Sequence, residues 1–165
     1  MKRILLLILM LIFFITPGTL AASGNVYENQ QYKFRMTFPD DWQINTQKAS
    51  TVEAHSQKAL PVLAVICDSK STHKASDTQE DEISLFIQHI QKDYPTMELV
   101  DKRHFIISNH AAVRIRLKND EKYFTAYFIL NNDYYFLISA IGYSDYMDVD
   151  QVTFNDIIST LEFIE

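Results

Sequence analysis

The chain has 165 residues, 47% of them apolar, with 15 Lys and Arg against 21 Asp and Glu and a net charge of −6. That length fits one domain, and the acidic balance argues against a phosphate-backbone binder, which needs a concentrated basic face. Cys67 is the only cysteine, so no intramolecular disulfide forms and the fold must rest on its apolar core.

Residues 1–22 read as a secretory signal peptide. Lys2 and Arg3 lead an unbroken apolar run from Ile4 to Ile15, Pro17 and Gly18 interrupt it, and small Ala21, Ala22 and Ser23 follow. The run is 12 residues, against the roughly 20 that span a bilayer. An uncleaved anchor extended through Leu20 to Ala22 is the alternative, and Pro17 and Gly18 argue against it. Cleavage near Ala21 or Ala22 leaves residues 23–165 as a single secreted or periplasmic domain with no stable membrane span. With Lys2 and Arg3 gone, 13 basic residues face 21 acidic ones, a net charge of −8. Such a surface gives no long-range pull toward anionic lipid.

From Asn25 to Phe38 one or two strands are expected, with a polar turn at Asn29-Gln30-Gln31. Tyr32, Phe34, Met36 and Phe38 alternate with Lys33, Arg35 and Thr37. Pro39 has no N–H and must end a ladder, Asp40 and Asp41 suit a tight turn, and Trp42 starts the next strand. Lys48 to Lys58 is polar, with a short strand around Thr51 to His55. Val62 to Cys67 reads as a strand buried on both faces. Asp68 to Thr78 is loop-like. Ile83, Phe86, Ile87, Ile90 and Tyr94 then share one face of an amphipathic helix. Asp77 or Thr78 caps that helix, Glu80-Asp81-Glu82 complement its dipole, and Pro95 stops it.

The second half reads as an antiparallel meander: Val100 to Ile107, a turn at "SNH", Ala112 to Leu117, Tyr123 to Leu130, and Tyr134 to Ile141. Val113, Ile115 and Leu117 point one way and Arg114, Arg116 and Lys118 the other. Val149, Val152, Phe154 and Ile157 suit a second helix from about Asp148 to Ser159. Leu161 and Phe163 alternate in a short closing strand. The order implies an α+β domain with helices buried against an antiparallel sheet.

The spacing Y-x(4)-Y-x-F-x-M-x-F-P-x-x-W from Tyr27 to Trp42, the central helix, the meander and the ending "IISTLEFIE" resemble the Mog1/PsbP superfamily, which includes PsbP-like and DcrB-like proteins. The resemblance covers essentially all of residues 23–165. It implies an antiparallel sheet flanked by helices, an α/β/α sandwich. The functions found on that fold are mostly assembly, scaffolding or protein binding, with small-GTPase partners and secretion-effector chaperones among them. Relatives often place glycine in the hairpin before the meander, where this chain has Asn109-His110.

Motifs that carry chemistry are scarce. There is no G-x-S-x-G, Walker A, G-x-G-x-x-G, H-E-x-x-H or C-x-x-C, and Gly24 and Gly142 are the only glycines after residue 22. Two glycines argue strongly against a glycine-rich phosphate cradle. No cofactor is implied, and the chain is not expected to be an enzyme. His104 and His110 flank one hairpin and would have to meet across it to hold a metal. Asp145, Asp148 and Asp150 are the best acidic candidates for a hard cation. The competing account is that Asp148 caps and Asp150 charges the start of the last helix. Cys67 reads as a buried small hydrophobe.

Aromatic residues crowd the segment from Tyr123 to Tyr146, and neighbours such as Tyr123 and Phe124 must face opposite sides of the sheet. Either both faces are covered, or one leaves an aromatic patch for a partner. Trp42, Tyr123, Tyr127, Tyr135 and Tyr143 are the residues assigned to such a patch. The expected function is an exported, monomeric, non-catalytic module that binds a protein and not nucleic acid. The alternative is a carrier of a small apolar ligand between sheet and helix, with Trp42 and the tyrosines lining its pocket; an enzyme is the third possibility.

Overall fold

The computed structural model describes residues 24–48, 51–56, 61–69, 78–131 and 134–164. The expected signal peptide lies outside the described residues. Strands β1 (Gly24–Asn29) and β2 (Phe34–Pro39) form an antiparallel pair, and β10 (Glu162–Phe163) adds to the other side of β2. The remaining strands are β3 (Trp42–Lys48), β4 (Thr51–Ser56), β5 (Val62–Ser69), β6 (Glu98–Ile107), β7 (His110–Lys118), β8 (Lys122–Leu130) and β9 (Tyr134–Tyr143). They make one antiparallel sheet in the order β3-β4-β5-β9-β8-β7-β6. Helix α1 (Gln79–Asp93) connects β5 to β6, and α2 (Met147–Ser159) follows β9 after a 3-10 turn at Ser144–Tyr146.

Strand alternation sorts the core into two layers. On one face Val113, Ile115, Leu117, Ala126 and Phe128 pack with Ile83 and Ile90 of α1. On the other, Tyr123, Tyr127, Ile129, Phe136 and Ile138 pack with Phe154, Ile157 and Ile158 of α2 and with Phe34, Met36 and Phe38 of β2. Helix α1, the large sheet, and α2 beside the small sheet form the α/β/α sandwich. Tyr123 and Phe124 fall in opposite layers, as the two-residue period demands. Completely burying side chains such as Phe34, Phe136 and Phe154 stabilises by about 1.5–3 kcal/mol each.

Local chemistry sets the joints. Thr78 caps α1, its Oγ accepting from Asp81 N at 3.2 Å. The β6–β7 hairpin turns through Ser108 (φ 48°) and Asn109 (φ 64°). Two central residues at positive φ are what a two-residue type I′ turn requires, so this chain makes without glycine a turn that glycine usually eases. The Pro39 corner delivers Trp42 into the core, where its ring stacks on Phe38 at 6.3 Å and 26°. Thr160 Oγ accepts from Thr37 N at 2.8 Å, tying the C-terminal segment to β2.

Three expectations are corrected. The β5 strand is buried on one face only: Leu63, Val65 and Cys67 are interior, whereas Ile66 is 41% exposed, because α1 packs over β7, β8 and β9 and not over β5. In α2 the interior residues are Gln151, Phe154, Ile157 and Ile158, and Val149 and Val152 face outward. Asp148 does not cap α2; the N-cap position is Tyr146, which makes no side-chain cap bond.

Candidate functional site

Residues that the core leaves over gather in three places. The first is a groove of about 380 Å³ between α1 and the sheet, lined by Ile66, Leu85, Phe86, Phe128, Tyr135 and Leu137. Gln79 closes one end, its Nε2 donating to Phe128 O at 2.9 Å. Phe86 meets Phe128 edge-on at 5.5 Å. The groove is mainly apolar and open to solvent along Leu85, which is 45% exposed, and Ile66.

The second is a polar layer beneath α2. Strand β7 turns Arg114 and Arg116 toward this face, opposite Val113, Ile115 and Leu117. A one-residue bulge in β6 brings a carboxylate to meet them. Leu99 pairs with Leu117, but Asp101, two residues on, pairs with Arg116 on the other face. Asp101 accepts from Arg114 Nη2 at 2.5 Å and from Arg103 Nε at 2.9 Å, and Arg116 Nε lies 3.3 Å away. The side chains of Arg114, Asp101 and Arg116 are 7%, 12% and 18% exposed. Burial raises the Asp101 carboxyl pKa, but the bonds from Arg114 and Arg103 outweigh it and hold the group below the ordinary aspartate value. Beside this cluster, Tyr127 Oη donates to Asn155 Oδ1 at 3.0 Å and accepts from Gln151 Nε2 at 2.7 Å. Burial raises the Tyr127 phenol pKa, with Arg114 and Gln151 opposing.

The third is the outer surface of α2, where Tyr146, Val149 and Val152 are each more than half exposed; Tyr143, also more than half exposed, pairs with Lys122 on the α1 side of the sheet.

The residues singled out in the sequence distribute unevenly over these places. Trp42, Tyr123 and Tyr127 are interior, so only Tyr135, in the groove, and Tyr143, on the α1 side of the sheet, present accessible rings. Trp42 does not line the groove. Tyr123 Oη donates to Asp150 at 2.7 Å. Burial, then Asp150, pushes the phenol pKa up, and burial raises that of Asp150. Asp148 pairs with Arg116 at 3.3 Å and Asp145 is exposed, so the three aspartates do not act together. His104 pairs with Val113 on the α1 face, whereas His110 meets the Phe163 ring at 4.7 Å on the α2 face, so the sheet separates them. Among the described residues no group of three His, Cys, Asp or Glu is placed to hold a metal ion. Cys67 is buried, and burial pushes its thiol pKa up, which disfavours the nucleophilic thiolate.

Sequence reasoning missed the Asp101–Arg114–Arg116 cluster. Its signal was present as two arginines on alternate positions of a strand between covered neighbours. It also missed the α2 stripe, because Val149 and Val152 fit the helical period as core positions do.

The geometry matches known folds. The solution structure of cyanobacterial PsbP from Synechocystis sp. PCC 6803 superposes with a TM-score of 0.66 at 14% identity, covering 88% of this chain and 95% of that one. LpqN, described as involved in cell envelope biogenesis of Mycobacterium tuberculosis, superposes at 0.57 with 12% identity over 88% and 87% of the two chains. PA94 of Pseudomonas aeruginosa, a protein of unknown function, superposes at 0.52 with 14% identity over 83% and 94%. The chain therefore has a PsbP-like fold. No protein-family model and no curated protein sequence matches it. Among the described residues no helix is long and apolar enough to cross a membrane.

Proposed function

We propose that residues 23–165, released from a signal peptide, form an exported, non-catalytic accessory protein that acts by binding another protein. The observation that carries this reading is the stripe of Tyr146, Val149 and Val152 on and beside α2, each more than half exposed. Apolar side chains gathered in one exposed patch mark an interaction surface more often than scattered ones do. Asp145, Asp148 and Asp156 flank the stripe, and residues 143–164 contain no Lys or Arg. An apolar face with an acidic rim suits a partner segment that presents apolar side chains bordered by Lys or Arg. The exported character of the reading is supported by the N-terminal sequence. The accessory character is supported by analogy with the fold's other members, among them LpqN and its role in envelope biogenesis. The apolar groove under α1 is where a carrier would hold its ligand. Its openness along Ile66 and Leu85 favours the protein-binding reading.

The test is affinity capture from the extracytoplasmic fraction with the wild-type protein and with a Val149→Asp/Val152→Asp variant. Both positions are exposed, so the variant should melt like wild type. The expected result is a partner held by wild type, released by salt, and lost with the variant. Recovery of bare monomer, or capture that the variant leaves undiminished, would overturn the reading. Intact-mass measurement of the exported form should place the cut near Ala21 or Ala22.

A further inference from the structure

We propose that the cleft between the β6–β7 hairpin and the C-terminal half of α2 binds a small monocarboxylate carried on an apolar body, with Arg114 as its counter-ion. The cleft encloses about 420 Å³. Its apolar walls include Phe105, Ile107 and Ile158, and its polar groups include Arg114, Tyr127 and Asn155. Among the described residues no carboxylate lines it, although acids outnumber bases in the chain by 21 to 15.

Charge and hydrogen bonding both point to an anion. Arg103, Arg114 and Arg116 converge on one largely buried carboxylate, Asp101, and the second partner of Arg116 is Asp148, whose side chain is 88% exposed. The interior of this layer therefore holds more positive than negative charge, an arrangement that burial penalises unless an anion completes it. Arg114 is more than nine-tenths buried, and its Nε has no hydrogen-bond partner among the described residues. The Phe105 ring, 5.2 Å from the guanidinium, covers the cation without neutralising it. Asn155 Oδ1 already accepts from both Tyr127 Oη and Gln151 Nε2, so the amide offers a ligand its N–H donors. A cation and an amide donor above aliphatic and aromatic walls suit one carboxylate with an apolar tail. A phosphate dianion would bring more charge than the one surplus positive charge of buried Arg114 and Arg116 against Asp101 balances.

Isothermal titration of the purified protein with octanoate, octylamine and octanol tests this. Octanoate should bind one-to-one and saturably, and the other two at least about tenfold more weakly, a difference of about 1.4 kcal/mol. Arg114→Gln would remove the shortest partner of Asp101 and endanger the fold, so the diagnostic variant is Asn155→Asp. That exposed side chain can still accept from Tyr127, but it puts a negative charge in the cleft. It should melt at or above the wild-type temperature, since the new carboxylate offsets the surplus positive charge, and lose at least about tenfold in octanoate affinity. Peptides ending in leucine, with free and amidated C-termini, separate the sources. Binding of the free form alone, tighter than octanoate, assigns the site to a polypeptide C-terminus, and octanoate binding with neither peptide assigns it to a free acid. Octanoate binding no tighter than octanol, indifference to Asn155→Asp, or no saturation by octanoate or the free peptide would overturn the proposal.

Discussion

Trp42 shows how a single residue joins two sheets. Pro39 ends β2, the chain turns, and the indole enters the core against Phe38 at the start of β3. This much is readable from the order of residue types, because a proline without an N–H and a large ring after two aspartates admit few arrangements. Trp42→Ala should lower unfolding free energy by about 3–5 kcal/mol in urea titration. A near-neutral result would mean that the ring contributes little to the core. Tyr123 was less legible. Alternation placed Tyr123 and Phe124 on opposite faces but did not say which ring would be wholly enclosed. The answer lies across the ladder at Gly142, where a Cβ would come within 2.5 Å of the Tyr123 ring. That pairing depends on the register between β8 and β9, which a linear pattern does not display.

At the scale of elements, the helices and the meander follow from periodicity, and their ends follow from caps and turns. The face chosen by α2 does not. Val149 and Val152 fit the helical period as well as Phe154 and Ile157 do. The choice is made by β8, whose Thr125 and Tyr127 hydrogen-bond Gln151 and so draw a polar residue inward while two valines stay out. The β6 bulge was equally hidden, since a single extra residue leaves composition and alternation almost unchanged. It nevertheless governs a pH response. The folded carboxyl of Asp101 titrates below its ordinary value, so in acid the unfolded chain binds the proton more readily than the native protein does. Its stabilisation is therefore present above about pH 4 and lost as pH falls through the folded value. Asp150 has the opposite sign: its raised pKa gives a contribution complete below about pH 4 and lost as pH rises through the folded value. Urea midpoints between about pH 2 and pH 4 should rise more gently for Asp101→Asn than for wild type. Parallel curves would mean that the carboxylate is not paired in solution.

At the scale of the molecule, the fold was legible from the "FPDDW" corner, the meander and the "STLEF" ending. The two terminal motifs prove to be neighbours, with Glu162 and Phe163 of β10 paired to Arg35 and Phe34 of β2. The groove and the arginine cluster were not legible, because each is assembled from residues far apart in the chain and owes its character to the strand order that brings them together. Among the described residues, the large sheet also leaves two strands, β3 and β6, with one side unpaired. Open strand borders invite copies of a chain to zip together. Sedimentation of the purified protein should nonetheless show a single monomeric species as concentration is raised, and a concentration-dependent dimer would contradict this. The reason returns to the bulge that carries Asp101 inward. It breaks the hydrogen-bonding rhythm of β6, and a matching irregularity between Asn45 and Lys48 breaks that of β3. A neighbouring molecule approaching either border meets donors and acceptors out of step. The same extra residue that builds the arginine cluster is thus expected also to hinder the chain from polymerising through its own sheet.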